Sequence, residues 1–289
     1  MLDELLAGLK KQDRRSLARL ITLAARGEQI PLSQAAKPAT VLAITGSGGV
    51  GKSTLIGKLI EQFRALGKSV AVLACDPESP LTGGALLGDR FRMPARPDDA
   101  GVYIRSLAAR SGQQAVAEHL DTIVRLCEQF GFDIILIETA GAGQGDTAVR
   151  NLADAVVLLL QPETGDDLQW EKAGLLEVAD VIVVHKADLP GAERAVSQVK
   201  AAVELSGRGT PVFAISSKTG QGLPELTEAL ANRPKRPRTD SDRVRLLQML
   251  QDEMARRYRE FDRRGELAKV LRGKPTDDEL VRTIIQRLA

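Results

Sequence analysis

The sequence predicts a doubly wound α/β domain with a mostly parallel sheet, built on a phosphate-binding loop and flanked by helical arms at both ends. Three observations predict it. Short, continuous apolar runs alternate with helical stretches from about residue 38 to residue 232, as strands do when helices cover both sheet faces. The run Gly46-Ser47-Gly48-Gly49-Val50-Gly51-Lys52-Ser53 fits G-x-x-x-x-G-K-[ST] between the apolar run Thr40–Ile44 and a helical stretch, Thr54–Leu66. Aromatic residues are only 3% of the 289, so the core has to be packed from the Leu, Val, Ile and Ala of those runs.

Residues 1–37 read as a helical N-terminal arm: Leu2, Leu5, Leu6 and Leu9 share one face, Leu17, Leu20, Ile21 and Ala24 another, and Gly27 and Pro31 end the pattern. Residues 38–232 form the predicted nucleotide-binding domain, with strands at 40–45, 69–75, 102–107, 133–138, 155–160, 181–184 and 211–215. Arg233-Pro234-Lys235-Arg236-Pro237-Arg238 breaks the pattern as a solvated linker. Residues 233–289 make a helical C-terminal arm: Val244, Leu247, Leu250 or Gln251, Met254, Tyr258 and Phe261 follow a helical stripe, and a short helix starts near Asp277.

A net charge of +2 gives no basis for a nucleic-acid partner. Cys75 and Cys127 have no paired spacing, so neither disulfides nor a thiolate metal site is expected. The N-terminus lacks a signal-type apolar core, and runs such as Ala155–Leu160 are too short to cross a membrane, so the expectation is a protein with no membrane partner that is cytoplasmic, or in a matrix-like compartment if a transit peptide has been removed.

The glycine-rich run carries the chemistry. Phosphates need a loop whose backbone N–H groups point inward with no side chains in the way. Gly46, Gly48, Gly49 and Gly51 permit that loop, Ser47 and Val50 complete it, Lys52 reaches the outer phosphates, Ser53 offers a hydroxyl to Mg²⁺, and Thr54 starts the helix behind it. Glu138-Thr139-Ala140-Gly141 follows an apolar strand, where Glu138 can hold the Mg²⁺ shell and the Gly141 N–H can sense a γ-phosphate.

Two further segments select the base. His185-Lys186-Ala187-Asp188 is similar to the Asn/Thr-Lys-x-Asp motif of GTPases, whose Asp accepts from the guanine N1–H and exocyclic amine while the Lys stem packs over the base. His185 stands in the Asn place. It either supplies one comparable hydrogen bond to the phosphate loop, with weaker nucleotide binding, or is a strand-end residue that takes no part. Ser216-Ser217-Lys218 matches the loop whose backbone N–H meets the guanine carbonyl. Ala142 occupies the position of the Ras-type catalytic Gln, with Gln144 two residues on, so hydrolysis should be slow until a partner, a dimer mate or a rearranged loop completes the site.

The chain resembles the MeaB/MMAA-type (ArgK-type) GTPases that serve adenosylcobalamin-dependent acyl-CoA mutases. The likeness rests on Asp13–Thr22 (DRRSLARLIT), Cys75-Asp76-Pro77, Thr82–Arg90 (TGGALLGDR), Glu138–Gln144 (ETAGAGQ) and Gly165–Gln169 (GDDLQ) with Lys172. It implies a GTP/GDP- and Mg²⁺-dependent chaperone that gates cobalamin loading and protects its mutase. It also implies that Ser53, Asp76, Asp89 and Glu138 line the metal and water region, that Lys52 binds phosphates, and that Gln144, Asp166, Asp167, Gln169 and Lys172 form switch segments, with Lys172 a candidate catalytic cation. The family's dimers imply a homodimer, here through the C-terminal arm. No D-x-H-x-x-G cobalamin segment is present, so the mutase should be a separate chain. The competing readings are a nickel-type metallochaperone GTPase, which needs His-rich tracts or a Cys pair, a small-molecule kinase, which needs adenine selectivity, and a scaffold with a dead nucleotide site.

Overall fold

The computed structural model describes the chain apart from residues 34, 36, 78–98, 110–116, 141–148, 163–174, 236–249, 251–253, 255–256, 273–275 and 289. Among the described residues the strands are β1 (Thr40–Gly46), β2 (Val70–Pro77), β3 (Val102–Ala109), β4 (Ile134–Glu138), β5 (Ala155–Leu160), β6 (Val181–His185) and β7 (Val212–Ile215). These are the seven apolar runs of the sequence with slightly shifted ends. All pair in parallel, in the order β3-β2-β4-β1-β5-β6-β7. The carboxyl ends of all seven therefore lie along one edge.

The helices are α1 (Leu2–Lys10), α2 (Arg14–Ala25), α3 (Lys52–Ala65), α4 (Leu120–Phe130), α5 (Leu175–Val178), α6 (Ala192–Ser206), α7 (Leu223–Ala231), α8 (Glu266–Leu271) and α9 (Asp277–Leu288). Alternate residues of each central strand face opposite ways and meet different helices. Val41, Ala43, Leu73, Ile135 and Ile137 pack with Leu9 of α1, Leu17, Leu20 and Ile21 of α2, and Ile123 and Cys127 of α4. Leu42, Ile44, Val72, Leu136 and Val157 pack with Leu55, Ile56, Leu59 and Phe63 of α3 and Leu226 and Leu230 of α7. Ile182 and Val184 meet Val199 and Val203 of α6.

Helices α1 and α2, expected as an arm, thus cover one sheet face. Asp13 starts α2 by accepting from the backbone N–H groups of Arg15 and Ser16, which a first turn would otherwise leave unpaired. Arg14 reaches across to the carbonyls of Ala100 and Val102, both at 2.7 Å, and fixes α2 against the start of β3. Fully burying each of Leu17, Leu20 and Ile21 contributes about 2 kcal/mol.

The chain forms two compact units, Met1–Arg236 and Pro237–Ala289. In the linker sequence, Arg233 donates to the Asp180 carbonyl and Lys235 to that of Pro38. In the second unit residues 257–263 are helical, and Glu266 of α8 pairs with Lys269 and, at 3.2 Å, with Arg287 of α9. Of the stripe, Val244 and Leu247 lie outside the described residues; Leu250, Met254 and Tyr258 are exposed and Phe261 is buried. Cys75 and Cys127 are free thiols. Burial pushes Cys75 up to about 12 and raises Cys127 as well, so both act as packing.

Candidate nucleotide-binding site

The sheet order places β1 between β4 and β5; the chain runs from β1 to β2 on one side and crosses from β4 to β5 on the other, and the phosphate loop leaves β1 at that switch point. Gly46 ends the strand at φ +148°, where a Cβ would fall 2.6 Å from the Leu159 carbonyl oxygen, so only glycine fits. Gly51 takes φ +101° immediately before α3, which begins with Lys52 and Ser53. Four N–H groups at such a helix start have no partner within the helix and face the loop.

Lys52 and Ser53 are both buried. The Lys52 ammonium donates to the carbonyls of Gly46 (2.8 Å) and Ser47 (3.1 Å), which fixes its charge across the loop mouth. The Ser53 hydroxyl donates to Glu138 Oε1 at 2.8 Å. Ala74 of β2 and Ile44 of β1 both register with Glu138, so buried Asp76 lies two residues beyond that level on the neighbouring strand. A hydroxyl and two carboxylates are hard oxygen donors, and this set fits Mg²⁺ better than any softer metal. Thr139 continues the edge: its N–H donates to the Ile44 carbonyl (3.1 Å) and its hydroxyl to Thr45 Oγ1 (3.1 Å).

Strands β6 and β7 bring in the base-reading residues. The Ala187 N–H donates to the Ile215 carbonyl at 3.0 Å, joining the two loops. The Ser216 hydroxyl donates to Asp188 Oδ1 at 2.6 Å, and that bond holds the Asp188 carboxyl below its ordinary range and so ionised. Lys186 adopts φ +58° and donates to Gln161 Oε1 at 2.7 Å. Ser217 is nearly covered, and Lys218 follows in an exposed turn.

His185 decides between its two sequence readings: it takes part. Its Nδ1 lies 2.8 Å from the Val50 carbonyl oxygen and its Nε2 2.8 Å from Ser217 Oγ, so the ring spans from the phosphate loop to the second base-reading loop. Burial lowers its pKa, which keeps the ring neutral near pH 7.

Of the predicted site residues, the structure gathers Gly46, Ser47, Gly48, Gly49, Val50, Gly51, Lys52, Ser53, Thr54, Asp76, Glu138, Lys186, Asp188, Ser216, Ser217 and Lys218 on the carboxyl edge of the sheet. Asp89, Gly141, Gln144, Asp166, Asp167, Gln169 and Lys172 lie outside the described residues. Gln161, which holds Lys186, escaped the sequence reading. Its position immediately after β5, the strand beside β1, was the available signal.

A phosphate loop, a strand-end carboxylate and the two loops predicted to read the base, all on one edge, fit the class of the P-loop GTPases. Within that class, residues 18–260 match the family described as Methylmalonyl Co-A mutase-associated GTPase MeaB. A putative GTPase of Pyrococcus horikoshii is 40% identical over 250 residues, covering 81% of this chain and 78% of that protein. A fused isobutyryl-CoA mutase of Cupriavidus metallidurans is 40% identical over 206 residues, 67% of this chain and 18% of that protein. The crystal structure of a LAO/AO transport system kinase shares the fold at a TM-score of 0.63 and 22% identity, covering 99% of this chain and 97% of that one. The chain belongs to the family of mutase-associated GTPases. Among the described residues no helix is long and apolar enough to cross a membrane.

Proposed function

We propose that this chain is a Mg²⁺-dependent GTPase chaperone that works as a homodimer in the cytoplasm, gating cobalamin loading and protecting a separate adenosylcobalamin-dependent acyl-CoA mutase. The observation that carries the reading is the joining of the Lys186–Asp188 and Ser216–Ser217 loops to a complete phosphate loop by His185. Family membership supplies the client class. The isobutyryl-CoA mutase whose segment resembles this chain is named as a fused protein, which supports a direct physical association between such a GTPase and a mutase.

Lys52 would offset charge on the outer phosphates, and backbone N–H groups from Gly48 to Ser53 would hold their oxygens. Asp188, kept ionised by Ser216, would accept two hydrogen bonds from guanine, which adenine does not offer. Ser53 and Glu138, with Asp76 and Asp89, would hold the metal; bound there, it would neutralise charge on the transferred phosphoryl group. Ala142 in place of a water-positioning Gln makes turnover slow alone. Contact with the mutase would reorder the segments carrying Gln144, Asp166, Asp167, Gln169 and Lys172, bringing Lys172 to the transition state, and the C-terminal arm would pair the two subunits.

The test is GTP hydrolysis, with ATP as control, alone and with each candidate mutase, using Lys52→Ala as reference. The expected result is slow GTP-only turnover that rises at least about tenfold with one mutase and falls about 100-fold or more in Lys52→Ala. Turnover indifferent to every mutase, or a preference for ATP, overturns the reading.

A further inference from the structure

We propose that His185 is the positioning residue that locks the phosphate loop to the base-reading loops, that it does so as the Nδ1–H tautomer, and that retention of GDP depends on this one imidazole. The inference rests on the guanine-nucleotide reading above. A backbone carbonyl only accepts, so the 2.8 Å contact with the Val50 oxygen requires the hydrogen on Nδ1. A neutral ring then leaves Nε2 as an acceptor, and the Ser217 hydroxyl donates to it at 2.8 Å. The ring is 3% exposed, and burial disfavours the imidazolium that would remove the acceptor. Of the charges beside it, Lys186 reinforces that preference and Asp188 opposes it.

The contact is steric as well as polar. A Cβ on Gly51 would fall 2.5 Å from both Cε1 and Nδ1 of His185, so the loop backbone rests directly on the ring. On the far side Ser217 adjoins Ser216, whose hydroxyl holds Asp188. A single path therefore runs from the carbonyl of a phosphate-loop residue through the imidazole to the serine pair that positions the guanine-reading carboxylate. A ligand touching both ends gains from a frame already assembled, because it does not have to order one loop against the other. An Asn side chain carries the same donor and acceptor on a shorter stem, so it should restore the bridge in part, whereas an apolar side chain cannot.

Two measurements test this on the full chain. The first is ¹⁵N NMR of the imidazoles near pH 7; with His119 the only other histidine, one His119 variant assigns the spectrum. A protonated Nδ1 and an unprotonated Nε2 on His185 are expected, and the opposite tautomer, or rapid exchange between the two, overturns the proposal. The second is release of a fluorescent GDP chased with excess GDP. His185→Ala and His185→Phe should release about tenfold faster, the order expected for loss of buried hydrogen bonds, while His185→Asn returns to within about threefold of the parent. Release unchanged in His185→Ala, or equally fast in His185→Asn and His185→Ala, overturns it. Ser217→Ala, which removes one bond and leaves the ring, should give an intermediate rate if the His185 variants fail to fold. If the parent chain holds no guanine nucleotide, the retention claim falls with the reading beneath it, and the NMR tautomer separately decides whether the bridge stands.

Discussion

Both edges of the sheet carry buried or half-buried carboxylates, and they are used in opposite ways. At the amino edge, acids stand immediately before strands and take main-chain N–H groups of the neighbouring strand. Asp154, just before β5, accepts from Val41 of β1 at 2.8 Å; Asp180, before β6, accepts from Val156 of β5 at 2.8 Å; Asp133, before β4, accepts from Ser69 at the start of β2 at 3.0 Å. Glu128 of α4 adds one more, from Ala39 at 3.1 Å. At the carboxyl edge Glu138 instead meets the hydroxyl of Ser53, a side chain that can turn to other oxygen partners. A buried acid satisfied by backbone amides belongs to the fold, since an unpaired buried N–H costs as much as a lost hydrogen bond. A buried acid facing a hydroxyl, a second buried carboxylate two residues along the next strand, and a lysine is poised for a cation and phosphates. Burial of charge is common to both edges; the partner distinguishes them.

Glu138→Gln tests the contrast most strongly. It removes one of the two buried carboxylates at the carboxyl edge, Glu138 and Asp76, while keeping shape, so GTP turnover should fall about 100-fold. Thermal stability should hold or rise, because neutralising one of two neighbouring buried acids relieves repulsion. Measuring kcat and the melting temperature on the same sample checks both halves. A large loss of stability with turnover intact would make Glu138 a fold residue and erase the distinction.

Asp154→Ala is the converse. It strips the acceptor from the Val41 N–H in the central strand, and denaturant unfolding should show a loss of about 2–3 kcal/mol. Asp154→Asn keeps an acceptor oxygen and should lose less. Nucleotide affinity should follow only the folded fraction, because Asp154 lies at the end of the sheet away from the phosphate loop.

How far these roles could be read from sequence follows the same division. Most of the strands were legible because a strand covered on both faces has to be a continuous apolar run, while β3, at the sheet edge, departs from that with Arg105 and Ser106. The phosphate loop was legible because close approach to phosphates permits so few residue types. The Asp preceding an apolar run was just as visible at 133, 154 and 180, but its role depends on which strand lies next to it in the sheet, and sequence order does not state that. His185 was ambiguous for the same reason: its partners, Val50 and Ser217, are 135 and 32 residues away. In sequence the Asp13-Arg14 pair carries only a family likeness, while its causes, a helix cap and a reach to the carbonyls at the start of β3, appear once α2 lies on the sheet.

Asp133 gives the smallest effect and the one with a defined pH signature. Burial pushes its carboxyl up, but the Lys37 ammonium at 2.8 Å and the N–H and hydroxyl of Ser69 outweigh that and hold it at about 2, against an ordinary 3.8. With the folded value below the unfolded one, the unfolded chain takes up the proton first as pH falls. The stabilisation is therefore complete above about pH 4–5 and disappears as pH drops through 3.8 toward 2. Because the Lys37 side is open to solvent, about 1–2 kcal/mol is expected rather than the full value of the shift. Asp133→Asn should lose that amount at pH 7 and flatten the acid limb of the stability curve. Raising salt should cost the parent chain little, since the Ser69 bonds are short and local and only the Lys37 contribution is screened. A parent chain whose acid limb is unchanged by Asp133→Asn would mean that this carboxylate adds nothing to the edge, and one whose stability at pH 7 drops with salt as much as with the substitution would mean that the exposed lysine, and not the main-chain bond, is what this edge uses.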